Sequence, residues 1–179
     1  MKRLLQFAHQ IDHVNQTIGR ASAWLILVMV LISAGNAIVR KVFNMSSNGL
    51  LEIQWSLFAA VFLLAAAYTL LKNEHVRIDL LSNRLGPRGQ AWIDIFGTVF
   101  FLLPLCGLML YYAGPFFVKS FTSQEWSNNP GGLILWPAKF LIPACFALLA
   151  LQGISEIIKR IGFLRGVSNA PTHDTSEPA

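Results

Sequence analysis

Charged residues are scarce in this sequence. Asp, Glu, Lys and Arg make up 13% of its 179 residues, whereas 54% are hydrophobic and the mean hydropathy is +0.52. Soluble domains contain about 25% charged residues, because their surfaces must be hydrated. The composition therefore excludes an ordinary soluble domain and indicates an integral membrane protein.

Cysteine and histidine are also rare. The two cysteines, Cys106 and Cys145, fall within apolar stretches, where we expect free, packed thiols and no disulfide. None of the four histidines falls within such a stretch, which argues against axial haem ligands inside a helical bundle. No Ser or Cys has a His or carboxylate placed to activate it, so we expect no cofactor and no enzyme active site.

Basic residues outnumber acidic ones, and the formal net charge is +5. The basic residues lie in connectors and at the chain ends without forming a patch interleaved with aromatics, so binding to nucleic acid is not expected. If the N-terminus is cytoplasmic, ten Lys and Arg residues fall on the cytoplasmic side and three or four on the other. The positive-inside rule therefore predicts that both termini are cytoplasmic.

Long apolar runs are what the sequence has in abundance. Four are long enough to cross a hydrocarbon core, which requires about 20 helical residues; they cover residues 21–39, 50–71, 91–113 and 133–158. The sequence thus predicts an all-α membrane protein with a four-helix transmembrane domain over residues 21–162. The polar tail, 163–179, lacks large apolar groups and is predicted to be disordered and cytoplasmic.

Residues 1–20 precede the first run and have a different pattern. Apolar side chains recur there at helical spacing, with polar ones between them, including His9 and His13. This pattern predicts an amphipathic helix in the membrane interface, resting either on lipid or on a larger partner. No small-residue cleavage site follows the first run, so we expect this run to remain in the mature protein.

Small residues and prolines indicate how the spans are shaped. Asn36 lies in a small-residue cluster of the first run. In the second run alanines recur every seven residues, at Ala59 and Ala66 and at Ala60 and Ala67. Both patterns favour close helix contacts. Pro104 predicts a kink in the third run. The Gly114 and Pro115 pair predicts the end of that run.

Polar groups near the span ends are candidates for anchoring or subunit contact, because such groups are costly in lipid. They are Glu52, Gln54, Trp55, Lys139 and Glu156. Since Glu52 and Lys139 both fall near the outer face, we expect an ion pair between them.

The connector "NEHVRID", residues 73–79, concentrates charge between the second and third runs. Its Glu74, His75 and Asp79 could bind a metal, but one short segment with no second His or Cys cluster is not specific. We interpret it as a cytoplasmic turn, with His75, Arg77 and Asp79 as candidates for subunit contacts.

Two longer stretches carry a family resemblance. "EIQWSLFAAVFLLAAAYTLLKNEHVRIDLL", residues 52–81, resembles the signature region of the DctQ family, the small membrane subunit of tripartite ATP-independent periplasmic (TRAP) transporters. "GGLILWPAKFLIPACFALLALQGISEIIK", residues 131–159, is similar to that family's last helix. The likeness extends over about residues 5–162.

The resemblance implies a three-part importer in the bacterial inner membrane. Its other parts would be a large DctM-type permease subunit, which binds sodium and holds the transport path, and a periplasmic substrate-binding protein. The implied activity is sodium-driven import of an organic acid, commonly a carboxylate, with this subunit as a scaffold. Glu125 and Trp126, in the outer loop, are then candidates for docking the binding protein.

Two other functions remain as alternatives. One is a small self-assembling exporter that uses Glu52 in an oligomeric pore. The other is a membrane enzyme with its site in the connector from Lys72 to Arg88. The chain shows neither an internal repeat nor a polar midplane cluster, so a transporter that works alone is not favoured.

Overall fold

The computed structural model describes residues 2–44, 47–72 and 86–166. In these ranges the chain forms four long helices: α1 (Lys2–Phe43), α2 (Asn48–Leu71), α3 (Pro87–Thr122) and α4 (Trp136–Leu164). Each is long and apolar enough to cross a membrane. The prediction of an all-α protein with four apolar helices is therefore confirmed. His75, Arg77 and Asp79 lie outside the described residues.

The predicted span boundaries need correction. No break in the helix marks the predicted boundary at residue 20, because α1 runs through it as one helix of 42 residues. At about 1.5 Å per residue this helix is about 63 Å long, roughly twice the thickness of a hydrocarbon core. The separate interfacial helix expected over residues 1–20 is thus the first part of α1. The fourth helix starts at Trp136, after the predicted start at 133.

The helices are not equivalent in their packing. α1, α2 and α4 contact one another, whereas α3 contacts α4 alone among the described helices. Close approach between α1 and α2 depends on small residues. At Gly19, a methyl group would come within 2.7 Å of Cδ2 of the Tyr68 ring. Of the two alanine pairs in the predicted repeat, Ala60 and Ala67 are buried, whereas Ala59 and Ala66 are half-buried. Asn36 is buried as well, although its Oδ1 accepts no hydrogen bond within the described part of the chain.

A wide turn divides α3. Residues Thr98–Leu102 form a π-helical turn in which the Leu103 N–H donates to the Thr98 carbonyl, five residues back. The turn shifts the buried face of the helix by one residue. Ala91 is buried before the turn, and a seven-residue repeat from it would bury position 105, but the next buried residue is Cys106. Leu105 is instead 50% exposed. The extra residue keeps α3 against α4 on both sides of the turn.

Of the two proline predictions for α3, the one for Pro115 is wrong. The irregularity of α3 lies immediately before Pro104, at the wide turn, and both proline and a π-helical turn are known causes of bending in a helix. Pro115 does not end the helix, which continues to Thr122. That part of the prediction is wrong, because the local preference of a Gly-Pro pair is overridden where neighbouring residues remain packed, as Ala113 and Ser120 are on either side of it.

Candidate functional site

The connection between α3 and α4 has a defined shape. Residues 123–135, which we call the hairpin, are closed by an antiparallel bridge between Trp126 and Ile134. The Ser127 N–H donates to the Leu133 carbonyl at 2.9 Å, and the Leu135 N–H donates to the Glu125 carbonyl at 2.9 Å. Gly131, whose φ is +72°, lies in the tip of the hairpin, where a residue without a Cβ is favoured.

Glu52, near the start of α2, holds the hairpin in place. Its Oε1 accepts hydrogen bonds from the Ser127 hydroxyl and, at 2.8 Å, from the Asn129 side-chain amide. Its Oε2 accepts from the Leu133 backbone N–H at 2.7 Å. One turn earlier, the Asn48 side chain donates to the Pro130 carbonyl at 3.0 Å. Both carboxylate oxygens of Glu52 are thus engaged by one loop.

A second contact joins the hairpin to α4. The Lys139 ammonium lies 2.5 Å from Oε2 of Glu125 and 4.4 Å from the ring centroid of Phe116. The hydrogen bond from Lys139 lowers the pKa of the Glu125 carboxyl below its ordinary value. The predicted ion pair between Glu52 and Lys139 is therefore wrong. Each residue instead binds a different part of the hairpin, and this loop's shape was not visible in the sequence.

Several predicted contact residues remain accessible on this side. Trp126 is 62% exposed although its backbone is fixed in the bridge, and the side chain of Glu125 keeps 42% exposure. On α2, Trp55 is 66% exposed and Gln54 is half-buried. The hairpin therefore presents an aromatic group and an acidic group from a fixed position, as a docking surface requires.

A cleft opens beneath the hairpin, between α2 and α4. Its volume is about 340 Å³, and its lining is mostly apolar, with Glu52 among the lining residues. Ser56, Ala60 and Leu57 line it from α2, and Leu141 from α4. It holds no cluster of polar groups that could orient a polar substrate.

Sequence reasoning missed a second polar region at the opposite end of the bundle. Asp12 of α1 accepts hydrogen bonds from Gln152 at 2.9 Å and Ser155 at 2.8 Å, and forms an ion pair with Lys159 at 3.1 Å. The Asn15 side chain donates to Gln152 at 2.7 Å. The signal was present as a polar stripe on α4, because positions 152, 155, 156 and 159 share one helix face.

Glu156 belongs to this region. Its Oε1 lies 2.5 Å from Lys159, one turn along the same helix, so it is held within the bundle. One turn further along α4, Arg160 pairs with Asp94 of α3 at 3.1 Å. Among the described residues, no group of three or more His, Cys, Asp or Glu is arranged to hold a metal ion.

Four long apolar helices joined by polar contacts at both ends define a multi-pass helical membrane protein. A family model matches residues 29–162, that of the DctQ component of tripartite ATP-independent periplasmic transporters. This range is more than half of the chain, and the protein therefore belongs to the DctQ family, the small permease component of these transporters. Comparisons with curated proteins and with solved structures give no match.

Proposed function

We propose that this protein is a fixed scaffold for a large DctM-type permease subunit. In this function it supports sodium-driven, binding-protein-dependent import of an organic acid across the bacterial inner membrane, while sodium binds the large subunit. The family membership supports the general role.

One observation carries the scaffold role: every carboxylate in the described part of the chain has an internal partner. Glu52 binds the hairpin, Glu125 binds Lys139, and Asp12, Glu156 and Asp94 bind Lys159 or Arg160. A chain that carried ions by itself would need an acidic group available to them within the membrane. The alternative of an exporter that uses Glu52 is disfavoured for this reason.

The hairpin is the surface that we assign to the periplasmic substrate-binding protein. In this arrangement the hairpin end faces the periplasm, and the opposite end, with both termini, faces the cytoplasm. Trp126 supplies an exposed aromatic anchor and Glu125 a neighbouring charge, and Glu52 restricts the movement of both. A fixed aromatic group costs little conformational entropy on binding, which suits a contact that forms and breaks repeatedly.

The test is reconstitution in proteoliposomes. The complete system, with large subunit, binding protein and sodium gradient, should take up its organic acid, whereas this chain alone should not. Omitting only this chain should abolish uptake and reduce recovery of the folded large subunit. Uptake by the chain alone, or full uptake without it, would contradict the scaffold role.

The docking assignment has a separate test. Trp126→Ala should weaken binding of the periplasmic protein to the reconstituted membrane complex. Trp92→Ala, a similarly exposed tryptophan at the opposite end of the bundle, serves as the matched control. If both variants bind the periplasmic protein as tightly as the unmodified protein does, the hairpin is not part of the docking surface.

A further inference from the structure

Three helices continue beyond the end of α2. Gly19 of α1 adjoins Tyr68, only three residues before α2 ends at Leu71. From that contact α1 continues for 17 residues to Lys2, about 25 Å at 1.5 Å per residue. The last turns of α4 run beside it, joined by the Asp12 contacts, and the start of α3 is joined to α4 through Asp94 and Arg160. We call residues 2–18, 87–97 and 152–164 the basal layer.

The exposed charges of the basal layer are positive. Its three described carboxylates, Asp12, Asp94 and Glu156, are paired with Lys159 or Arg160 inside the layer. Among the residues that the structure describes, the exposed charged side chains within the layer and at its borders are cations: Arg3, Arg20, Lys72, Arg88 and Arg165. The layer therefore presents a positive field to its surroundings.

Apolar side chains are exposed on two separate flanks of this layer. On α1, Leu4, Phe7 and Val14 are 52%, 51% and 50% exposed. On α3, Trp92 and Phe96 are 64% and 55% exposed. The two helices do not contact each other, and each packs on α4, so the flanks lie on different sides of α4.

We propose that the basal layer binds anionic phospholipids in the headgroup region of one leaflet. Its arginines would contact lipid phosphates, and its exposed apolar groups would enter the boundary with the acyl chains. A single protein partner would cover one flank, whereas a bilayer surrounds the helices and covers both. The apolar pattern of residues 1–20 did not distinguish lipid from a protein partner, because it could not show that Ala8 and Ile11 are buried in the bundle.

The first test measures lipid preference around the full chain in nanodiscs, with spin-labelled phosphatidylglycerol and phosphatidylcholine as probes. We expect about a fivefold preference for phosphatidylglycerol, since each basic residue near an anionic surface contributes about 1 kcal/mol. The preference should fall with added salt and approach one when Arg3, Arg20, Arg88 and Arg165 are all changed to Gln. The matched control, Arg40→Gln with Lys41→Gln at the other end of α1, should keep it. An unchanged preference in the fourfold variant, or an equal loss in the control, would overturn the proposal.

The second test distinguishes lipid from protein as the occupant of the two flanks. Nitroxide labels are placed one at a time at Phe7→Cys, Trp92→Cys and Gln10→Cys, in a chain whose two buried cysteines are changed to Ala. Labels at positions 7 and 92 should collide with lipid-soluble oxygen more than with an aqueous nickel chelate, and the exposed polar position 10 should show the reverse. These patterns should persist when the large permease subunit is added. If that subunit shields both apolar positions from oxygen, the lipid assignment is wrong, whereas the scaffold role is unaffected.

Discussion

The two ends of the bundle use polar contacts in opposite ways. At the hairpin end, one carboxylate, Glu52, binds a loop through groups that remain partly accessible. In the basal layer, Gln152, Ser155 and Asn15 are almost fully buried between helices. The first arrangement positions a surface for other molecules, whereas the second joins helices to one another. The expected consequences of mutation differ accordingly: local at the hairpin and global in the basal layer.

The largest effect is expected from Asp12→Ala in the basal layer. Lys159 would keep only Glu156 as an ionic partner, and Gln152 would lose an acceptor in a buried position. We expect the free energy of unfolding to fall by about 3 kcal/mol, as for other disrupted buried ion pairs. Denaturation of the purified chain in mixed micelles measures it. The control His9→Ala, exposed on the same helix, should change it by less than about 0.5 kcal/mol. Equal stability of the two variants would contradict a structural role for the polar contacts.

The next largest effect is expected at the close contact between α1 and α2. Gly19→Ala would force a methyl group against the Tyr68 ring and should cost about 1–3 kcal/mol through overpacking. Gly107→Ala is the matched control, because no atom lies within 4 Å of a methyl group there. The control should be neutral, or more stable by up to about 1 kcal/mol. The same micelle denaturation compares them, and a loss at Gly107 as large as at Gly19 would argue against the close contact of α1 and α2.

Glu52→Gln should change the hairpin and leave the bundle intact. The Gln amide has one oxygen acceptor where Glu has two, because its NH2 group can only donate. At least one donor among Ser127, Asn129 and Leu133 would therefore lose its partner. We expect roughly tenfold faster hydrogen exchange across residues 123–135, because the hairpin would lose part of its attachment to α2. Exchange in α1 should stay the same, and Gln54→Leu should leave the hairpin unchanged. If α1 exchanges faster as well, the proposed contrast between a local and a global end is wrong.

The smallest effect is the pH response of the Glu125 contact. Lys139 lowers the pKa of Glu125 in the folded protein, so this contact stabilises the hairpin above pH 4.5, the ordinary value, and is lost as the pH falls through the lower folded value. In Lys139→Met the titration should move up, towards the ordinary value. Carboxyl-carbon NMR of Glu125 reports both midpoints. Identical midpoints in the two proteins would show that Lys139 does not set the pKa.

Much of the fold was predictable from single segments. The number of spans and their apolar character follow from run length, and the alanine spacing of α2 correctly indicated a packing face at Ala60 and Ala67. Several errors concern contacts or turns that the pattern of a single segment does not show. The partner of Lys139 depends on a loop that folds back onto α2, and the register of α3 depends on a wide turn whose only visible trace was Pro104.

The sequence by itself determined that the chain is a membrane protein of the DctQ family, because hydropathy and the conspicuous segment at 52–81 are properties of contiguous residues. Only the tertiary structure decided what its polar residues do. Glu52, 75 residues before Ser127, and Asp12, 147 residues before Lys159, meet their partners across the fold. Hydrogen bonds and ion pairs act over a few ångströms, and a pattern along one segment cannot show which distant group will come that close.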